Sequence, residues 1–353
     1  MKVSIIIPTY NERENLPIAV ERIFKVFKEN RIEGEVVVVD DNSPDKTGKI
    51  AERLKKRHKM QVLHRRAKLG LSSAVLEGFN VAKGEILGVM DADLSHPPET
   101  IPKLIKAIEN GADIAVASRY IKNGGIEGWG IKRKVISKAA TFLAKGLTSL
   151  ADPVSGFFFL KKDVLDEVEL NPKGYKIGLE IFAKSKDKKI MEVPYVFFER
   201  KLGKSKLNLK EIGNYILHLS SLYFFKAKQF FKFCIVGGLG TIVNLAILYS
   251  LVEFAGLWYI IAAALAFVIA ATHNYILNKI WTFEDKRAGK KFIAKQWSKF
   301  FVISVFSLGI NLFVLWSLVE FAGLWYIFAQ IIAIFVALFN NFLGNKYWTF
   351  RMK

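Results

Sequence analysis

Two aspartates one residue apart, Asp91 and Asp93, stand in the stretch MDADLSHPP, directly after the apolar run EILGV. Carboxylates spaced this way at a strand end suit a hard divalent cation, Mg²⁺ or Mn²⁺, which takes one or two carboxylates and fills its other positions with water and substrate phosphates. On this reading Asp93 holds the metal, and Asp91 orients a nucleotide or completes the metal shell. The competing role is to cap the helix expected near Pro98, and Ser95 is better placed for that.

A lone D-x-D pair is a weak signal, and two companion clusters strengthen it. PTYNERENL follows the apolar run SIII, and DDNSPDKTG follows EVVVV. Ligands of open α/β sheets bind beyond the carboxyl ends of the strands, so clusters at three such ends should converge on one crevice.

The elements that would position them lie between Lys2 and about Leu207. SIII, EVVVV, MQVLH, EILGVM and DIAVAS alternate with charged segments of helical period, the pattern of parallel strands joined by helical crossovers. Their near-continuous apolar character is that of strands covered by helices on both faces. RLKKRHK continues a helix from Lys46 and reads as its solvated face, not as a nucleic-acid patch. KVSIIIPTY ends its apolar run at Pro8, so it reads as a first strand and not as a secretory signal.

The second half changes solvent. A chain of 353 residues that is 52% hydrophobic, with mean hydropathy +0.23, is too apolar to be wholly soluble. Four apolar stretches, 233–255, 258–277, 300–322 and 325–343, are each long enough to cross a hydrocarbon core of about 30 Å, and predict four transmembrane helices. The two EFAGLWY connections carry no Lys or Arg, whereas the middle one carries Lys286, Arg287, Lys290, Lys291, Lys295 and Lys299. The positive-inside rule then puts both termini, the middle loop and the catalytic half on the cytoplasmic side of the cell membrane. Trp258, Trp281, Trp325 and Trp348 fall near the lipid boundaries. The net charge of +20 suits nucleic acid, an anionic membrane or a phosphorylated substrate; the apolar spans favour membrane lipid, with no nucleic-acid partner. A single cysteine, Cys234, excludes an internal disulfide framework and a clustered Cys zinc site.

This half is also duplicated. SLVEFAGLWYI occurs at 250–260 and again at 317–327, an offset of 67 residues that aligns Asn244 with Asn311, Asn274 with Asn341, and WTF at Trp281 with WTF at Trp348. Each copy is a helical hairpin, so both enter from the same side and should be related by an axis along the membrane normal. The asparagines read as hydrogen bonds between helices, and GGLG at 237–240 as close helix packing. Two basic amphipathic stretches, 128–147 and 211–231, should meet the lipid surface.

PTYNERENL, DDNSPDKTG, LGLSSAV, MDADLSHPPE, SRY, GWGIKRKVISKAATFL, DPVSGF and RKLGKSKL resemble, in that order, the landmarks of dolichyl-phosphate mannose synthases, inverting family 2 glycosyltransferases of GT-A fold. The remainder is similar to the four-helix GtrA-like membrane domain fused to some of them. The resemblance implies a Rossmann-like, mostly parallel α/β GT-A domain over 1–209, an amphipathic interfacial helix over 210–231 and an all-α transmembrane domain over 232–353. It implies transfer of mannose from GDP-mannose to dolichyl or another polyprenyl phosphate, with Mg²⁺ or Mn²⁺.

By the same resemblance Pro8, Tyr10, Glu12 and Asp40 match positions that cradle the donor nucleotide, and Asp91 and Asp93 serve nucleotide and metal. Ser95 stands where some members carry Gln, and would complete the metal shell directly or through water. Arg119, Arg133, Ser137, Arg200 and Lys206 match the contacts to acceptor phosphate and diphosphate; Asp91, Asp93 and Arg119 make up the catalytic set. Some members have an additional Arg where this chain has Leu202. Competing readings are the same transfer from UDP-glucose, and a lipid-linked sugar translocator or membrane scaffold in which the duplicated half is the working part. A processive polysaccharide synthase is disfavoured, since no Q-x-x-R-W motif occurs.

Overall fold

The strands read from the sequence all form. A computed structural model describes residues 2–168, 170–171, 176–185, 188–199 and 209–350, in two units, Met1–Tyr223 and Phe224–Lys353. The first runs β1 (Val3–Thr9), α1 (Asn15–Glu29), β2 (Gly34–Asp40), α2 (Thr47–Lys55), β3 (Met60–His64), α3 (Leu71–Val81), β4 (Ile86–Val89), α4 (Ile101–Glu109) and β5 (Ile114–Ser118). It continues through β6 (Gly125–Glu127), α5 (Ile131–Ala144), β7 (Phe158–Lys161), α6 (Ile177–Lys184), β8 (Ile190–Pro194) and β9 (Val196–Phe198) to the start of α7 (Leu209–Glu253).

Seven strands form one sheet in the order β3-β2-β1-β4-β7-β5-β8, and β6 pairs with β9 in a small parallel sheet. The main sheet is parallel except at β7, which runs antiparallel between β4 and β5. That strand, FFLK, was not read from the sequence: its period is hidden because Phe158, Phe159 and Leu160 are all fully buried. The helix expected to run on to Lys59 stops at Lys55, because β3 claims the chain from Met60.

Side chains alternate across the sheet. Ile5, Ile7, Val36 and Val38 face one core with Leu16, Val20 and Ile23 of α1; Ile6, Val37 and Val39 face another with Ala74, Val75 and Phe79 of α3. Each fully buried aliphatic side chain contributes about 1.5–3 kcal/mol, and the two-sided cover explains the unbroken apolar runs.

Both basic amphipathic stretches pack on protein by one face. Tyr215, Leu219 and Leu222 of α7 meet Ala144, Leu147 and Leu179, and the Tyr215 and Tyr223 hydroxyls donate to the carbonyls of Ala140 (2.7 Å) and Leu143 (2.6 Å). His218 pairs with Glu180 at 3.6 Å, both buried. A second apolar face stays exposed: Ile131, Val135 and Phe142 on α5, Ile216 and Leu217 on α7. An exposed apolar patch beside lysines suits a lipid surface. No break separates the interfacial stretch expected over 210–231 from the first span, because α7 is one helix of 45 residues with no proline to interrupt it.

The second unit holds the rest of α7, α8 (Tyr259–Leu277), α9 (Lys290–Glu320) and α10 (Tyr326–Gly344), and among the described residues four helices are long and apolar enough to span a membrane. Helices α8 and α10 each run into a π-turn, Asn278–Thr282 and Asn345–Thr349, at matching positions of the repeat. Aromatic rings show the pseudo-two-fold relation. Phe283 and its repeat mate Phe350 stack at 4.5 Å, and Phe233–Phe283 and Phe300–Phe350 both lie at 6.3 Å. Phe233–Phe342 at 5.6 Å mirrors Tyr275–Phe300 at 5.8 Å. Of the four repeated asparagines, Asn311 bonds between helices, accepting from Gln330 at 3.4 Å, whereas Asn341 accepts from Asn345 four residues on and Asn274 lies 3.3 Å from its neighbour His273; Asn340, outside that set, donates to Ser307 at 3.1 Å across the α9–α10 contact. Gly240 leaves room for the Asn274 amide, whereas Gly237 and Gly238 meet nothing.

Gly88 lies on β4, where a Cβ would come within 2.5 Å of the buried Phe159 ring on β7. Gly88→Ala is expected to destabilise the first unit by about 1–3 kcal/mol through overpacking, read as a lowered midpoint in chemical denaturation of the full chain. An unchanged midpoint would contradict the close β4–β7 approach.

Candidate active site

Backbone amides and short polar side chains fix the loops that leave β1 and β2. The N–H groups of Asn11, Glu12 and Arg13 donate to Ser43 (3.0 Å), Thr47 (3.0 Å) and Asp45 (3.1 Å). PTYNERENL and DDNSPDKTG are thereby laced side by side, and Pro8, Tyr10 and Glu12 line one cavity. Lys68 lies 3.9 Å over the Tyr10 ring. Asp40 is placed differently. Its carboxylate is buried and accepts from the hydroxyls of Thr9 (3.1 Å) and Ser43 (2.6 Å), so it braces the two loops without lining the cavity. The neighbouring Asp41 does line it, and accepts from Arg65 (2.7 Å) and the N–H groups of Leu69 and Gly70, which fixes the start of α3.

The DADLSH segment makes a tight turn beyond β4. Leu94 sits in the left-handed region at φ 64°, a conformation that costs a residue with a Cβ about 1–3 kcal/mol. The turn brings the Ser95 N–H (3.1 Å) and hydroxyl (2.5 Å) onto Asp93 Oδ1, both residues being buried. Ser95 caps no helix: a 3₁₀ turn, Pro98–Thr100, precedes α4, and neither has a side-chain cap. Its hydroxyl is committed to orienting Asp93 instead.

His96 has a positioning role that its residue type alone did not reveal. The Asp91 N–H donates to His96 Nδ1 at 3.0 Å, which leaves the ring proton on Nε2, 3.9 Å from the Asp91 carboxylate. The ring stacks on Phe157 at 5.0 Å. Burial holds its pKa below the usual value, against the raising effect of Asp91 and Asp93.

Cations line the same cavity. Burial disfavours the Arg119 charge, yet its fork onto Asp152 (Nε 2.7 Å, Nη2 2.8 Å) more than offsets this and its pKa is raised. Trp129 lies between two guanidiniums, 5.6 Å from that of Arg119 and 4.3 Å from that of Arg133. Arg133 also pairs with Glu199 at 2.9 Å, and Ser137 accepts from the Tyr120 hydroxyl at 2.9 Å. Arg200 and Lys206, and with them Leu202, lie outside the described residues. Lys176, which no motif marked, also lines the cavity: its ammonium donates to the Val154 carbonyl at 2.8 Å, and burial, with Arg119 second, pushes its pKa down to about 8.

Carboxylates and cations from these segments line one cavity of about 610 Å³, within the size of small-molecule sites. It brings together Pro8, Tyr10, Glu12, Asp91, Asp93, Ser95, Arg119, Arg133 and Ser137. Among the described residues no cluster of three or more His, Cys, Asp or Glu could cage a metal. Two carboxylates alone fit Mg²⁺ or Mn²⁺ sharing its shell with substrate phosphates, and do not fit a structural zinc site.

Two family models match separate parts of the chain. Residues 4–169 match the model of glycosyl transferase family 2, and 232–353 that of the GtrA/DPMS transmembrane domain. The chain is 42% identical to a dolichol-phosphate mannosyltransferase of Pyrococcus furiosus over 99% of both chains. It is 39% identical to a dolichol-phosphate mannosyltransferase of Saccharomyces cerevisiae, over 64% of this chain and 88% of that one. A polyprenol monophosphomannose synthase of Mycolicibacterium smegmatis is also 39% identical, over 58% of this chain and 80% of that one. With a full-length relative at that identity and a crevice built at the ends of β1, β2 and β4, the chain belongs to the dolichol-phosphate mannosyltransferases of glycosyltransferase family 2, in the form that carries a GtrA/DPMS membrane domain.

Proposed function

We propose that the crevice transfers mannose from GDP-mannose to the phosphate of dolichol or another polyprenol, with inversion, at the cytoplasmic membrane face and with Mg²⁺ or Mn²⁺. One observation carries the reading: the carboxylates Asp91 and Asp93 and the cations Arg119, Arg133 and Lys176 line one and the same cavity. The names of the relatives support the sugar and the lipid phosphate as substrates.

A phosphate monoester has a second pKa of about 6, so the acceptor is already largely dianionic at neutral pH and needs no strong general base. It needs cations that hold it behind the anomeric carbon. Arg119 is fixed through Nε and Nη2 by Asp152, and Arg133 is braced against Trp129, so both cations are held in place before substrate arrives. Asp91 and Asp93 would hold the cation, which when bound withdraws charge from the departing diphosphate. Pro8, Tyr10 and Glu12 would cradle the nucleotide, with Asp40 acting through the loop it braces. Ser95 would act through Asp93. The helices of 232–353 would anchor the chain in the bilayer that carries the acceptor.

Purified full-length protein with labelled nucleotide sugars and a polyprenyl phosphate should give lipid-linked product from GDP-mannose alone, lost with EDTA and restored by Mg²⁺ or Mn²⁺. Equal product from UDP-glucose would overturn the donor assignment. Asp93→Asn retains an oxygen able to accept both Ser95 hydrogen bonds, so the protein should fold while turnover drops about 100-fold or more with the lost charge. Wild-type turnover would remove Asp93 from the metal site.

We assign Lys176 to the phosphate wall, where it is cationic below about pH 8 and neutral above. KM for the acceptor phosphate should therefore rise as pH increases through about 8, with kcat little changed. Lys176→Arg should abolish that rise, because arginine keeps its charge; a rise that persists in this variant places the titrating group elsewhere.

A further inference from the structure

Helix α5 carries two residues that line the cavity, Arg133 and Ser137, one turn apart on the same face. Its buried residues, Thr141 and Ala144, lie toward its other end, so burial does little to fix the turns that bear those two groups. Side chains from other segments do so. Glu199 pairs with Arg133 at 2.9 Å, Trp129 lies 4.3 Å from the same guanidinium, and the Tyr120 hydroxyl donates to Ser137 at 2.9 Å.

Tyr120 stands behind the cavity: Ser137 is part of the lining and Tyr120 is not. It lies two residues beyond β5, next to Arg119, whose guanidinium is fixed on Asp152 and lies 5.2 Å from the Tyr120 ring. The phenol therefore reaches Ser137 from a segment that the sheet and a buried ion pair hold in place.

Ser137 also differs from helical serines elsewhere in the chain. Ser220, Ser298 and Ser304 each donate to the carbonyl four residues before them at 3.0 Å, and Ser250 does so at 2.8 Å. Ser137 makes no such bond among the described residues, and its oxygen accepts from Tyr120 instead. A hydroxyl that accepts on one side still has its single proton to give. We propose that Tyr120 is a positioning residue for the lipid acceptor: by donating to Ser137 it turns the serine O–H toward the acceptor phosphate, a donor set before the lipid arrives. This rests on the reading of Ser137 as an acceptor contact. Hydrogen bonds in series polarise one another, so the serine gives a stronger bond to an anionic oxygen than a lone hydroxyl would. No proton moves along the pair, because the phosphate is already largely dianionic. The effect falls on binding of the acceptor and not on the chemical step.

The test is steady-state kinetics of the full-length chain in mixed micelles, with a polyprenyl phosphate varied at saturating GDP-mannose and then the reverse. Wild type, Tyr120→Phe, Ser137→Ala and the double variant are compared. Tyr120→Phe keeps the ring beside Arg119 and removes one oxygen. It should raise KM for the polyprenyl phosphate about fivefold, the worth of one ordinary hydrogen bond, and leave kcat and the donor KM within about twofold. Ser137→Ala should raise KM for the acceptor about tenfold, as for a bond to a charged group. Adding Tyr120→Phe to Ser137→Ala should change nothing further, because the phenol then has no serine to orient. A Tyr120→Phe effect of the same size in the Ser137→Ala background would overturn the proposal, since a tether of α5 acts without the serine. So would an unchanged acceptor KM in Tyr120→Phe, or a donor KM raised as much as the acceptor KM. Wild type that makes no polyprenyl-linked product would overturn the acceptor reading itself, a result distinct from any difference among the variants.

Discussion

The buried ion pair between Arg119 and Asp152 is the constraint on which the catalytic crevice rests. Both side chains are nearly sealed from water, at 7% and 0% exposure, so either charge left alone would cost several kcal/mol. The pair therefore forms as a unit with its surroundings. Glu192 on β8 accepts from the N–H groups of Ala151 (2.9 Å) and Asp152 (3.1 Å), and Asp152 in turn accepts from both the backbone and the side chain of Arg119 at the end of β5. Trp129 and Phe197 close over the guanidinium at 5.6 Å each. One charge network thus orders two strand ends, the segment before β7 and the aromatic wall, and keeps a cation in the cavity that the carboxylates beyond β4 line.

The carboxylate side is organised by a different economy, short polar side chains on backbone amides. Ser43, Thr47, Asp45, Asp40 and Asp41 satisfy loop N–H groups and hydroxyls that the sheet cannot reach. Asp91 has 37% of its side chain exposed, while Asp93 is buried and accepts from Ser95.

In the membrane unit the ordering element is the duplication. Two hairpins without a hydrophobic driving force between them associate through packing and a few hydrogen bonds, and the stacked Phe283–Phe350 pair lies where the copies meet. Symmetry of the packing allows asymmetry of the charges: Asp285, Gln296, Lys279 and Tyr275 form a polar cluster on one copy, and the other copy has Phe342 and Met352 in matching positions.

Strand order aside, much of this was legible in the sequence. Continuous apolar runs between charged segments dictated a covered parallel sheet, and the D-x-D pair with its two companion clusters pointed to one crevice, because strand ends on one side of such a sheet must lie together. Span length and the 67-residue offset were likewise local properties of the chain. The antiparallel β7 was not legible, since a strand buried on both faces carries no period and its direction depends on the path of the whole chain. Nor was the continuity of α7, where a change of solvent along the chain left no mark on backbone hydrogen bonding. The turning of Asp40 away from the cavity, the commitment of Ser95 to Asp93, the arrival of His96 beside Asp91 and that of Lys176 in the same cavity were decided by tertiary structure alone. Residue type supplies a charge or a donor, but the partner it meets, and therefore its role, is set by distances between segments far apart in the chain.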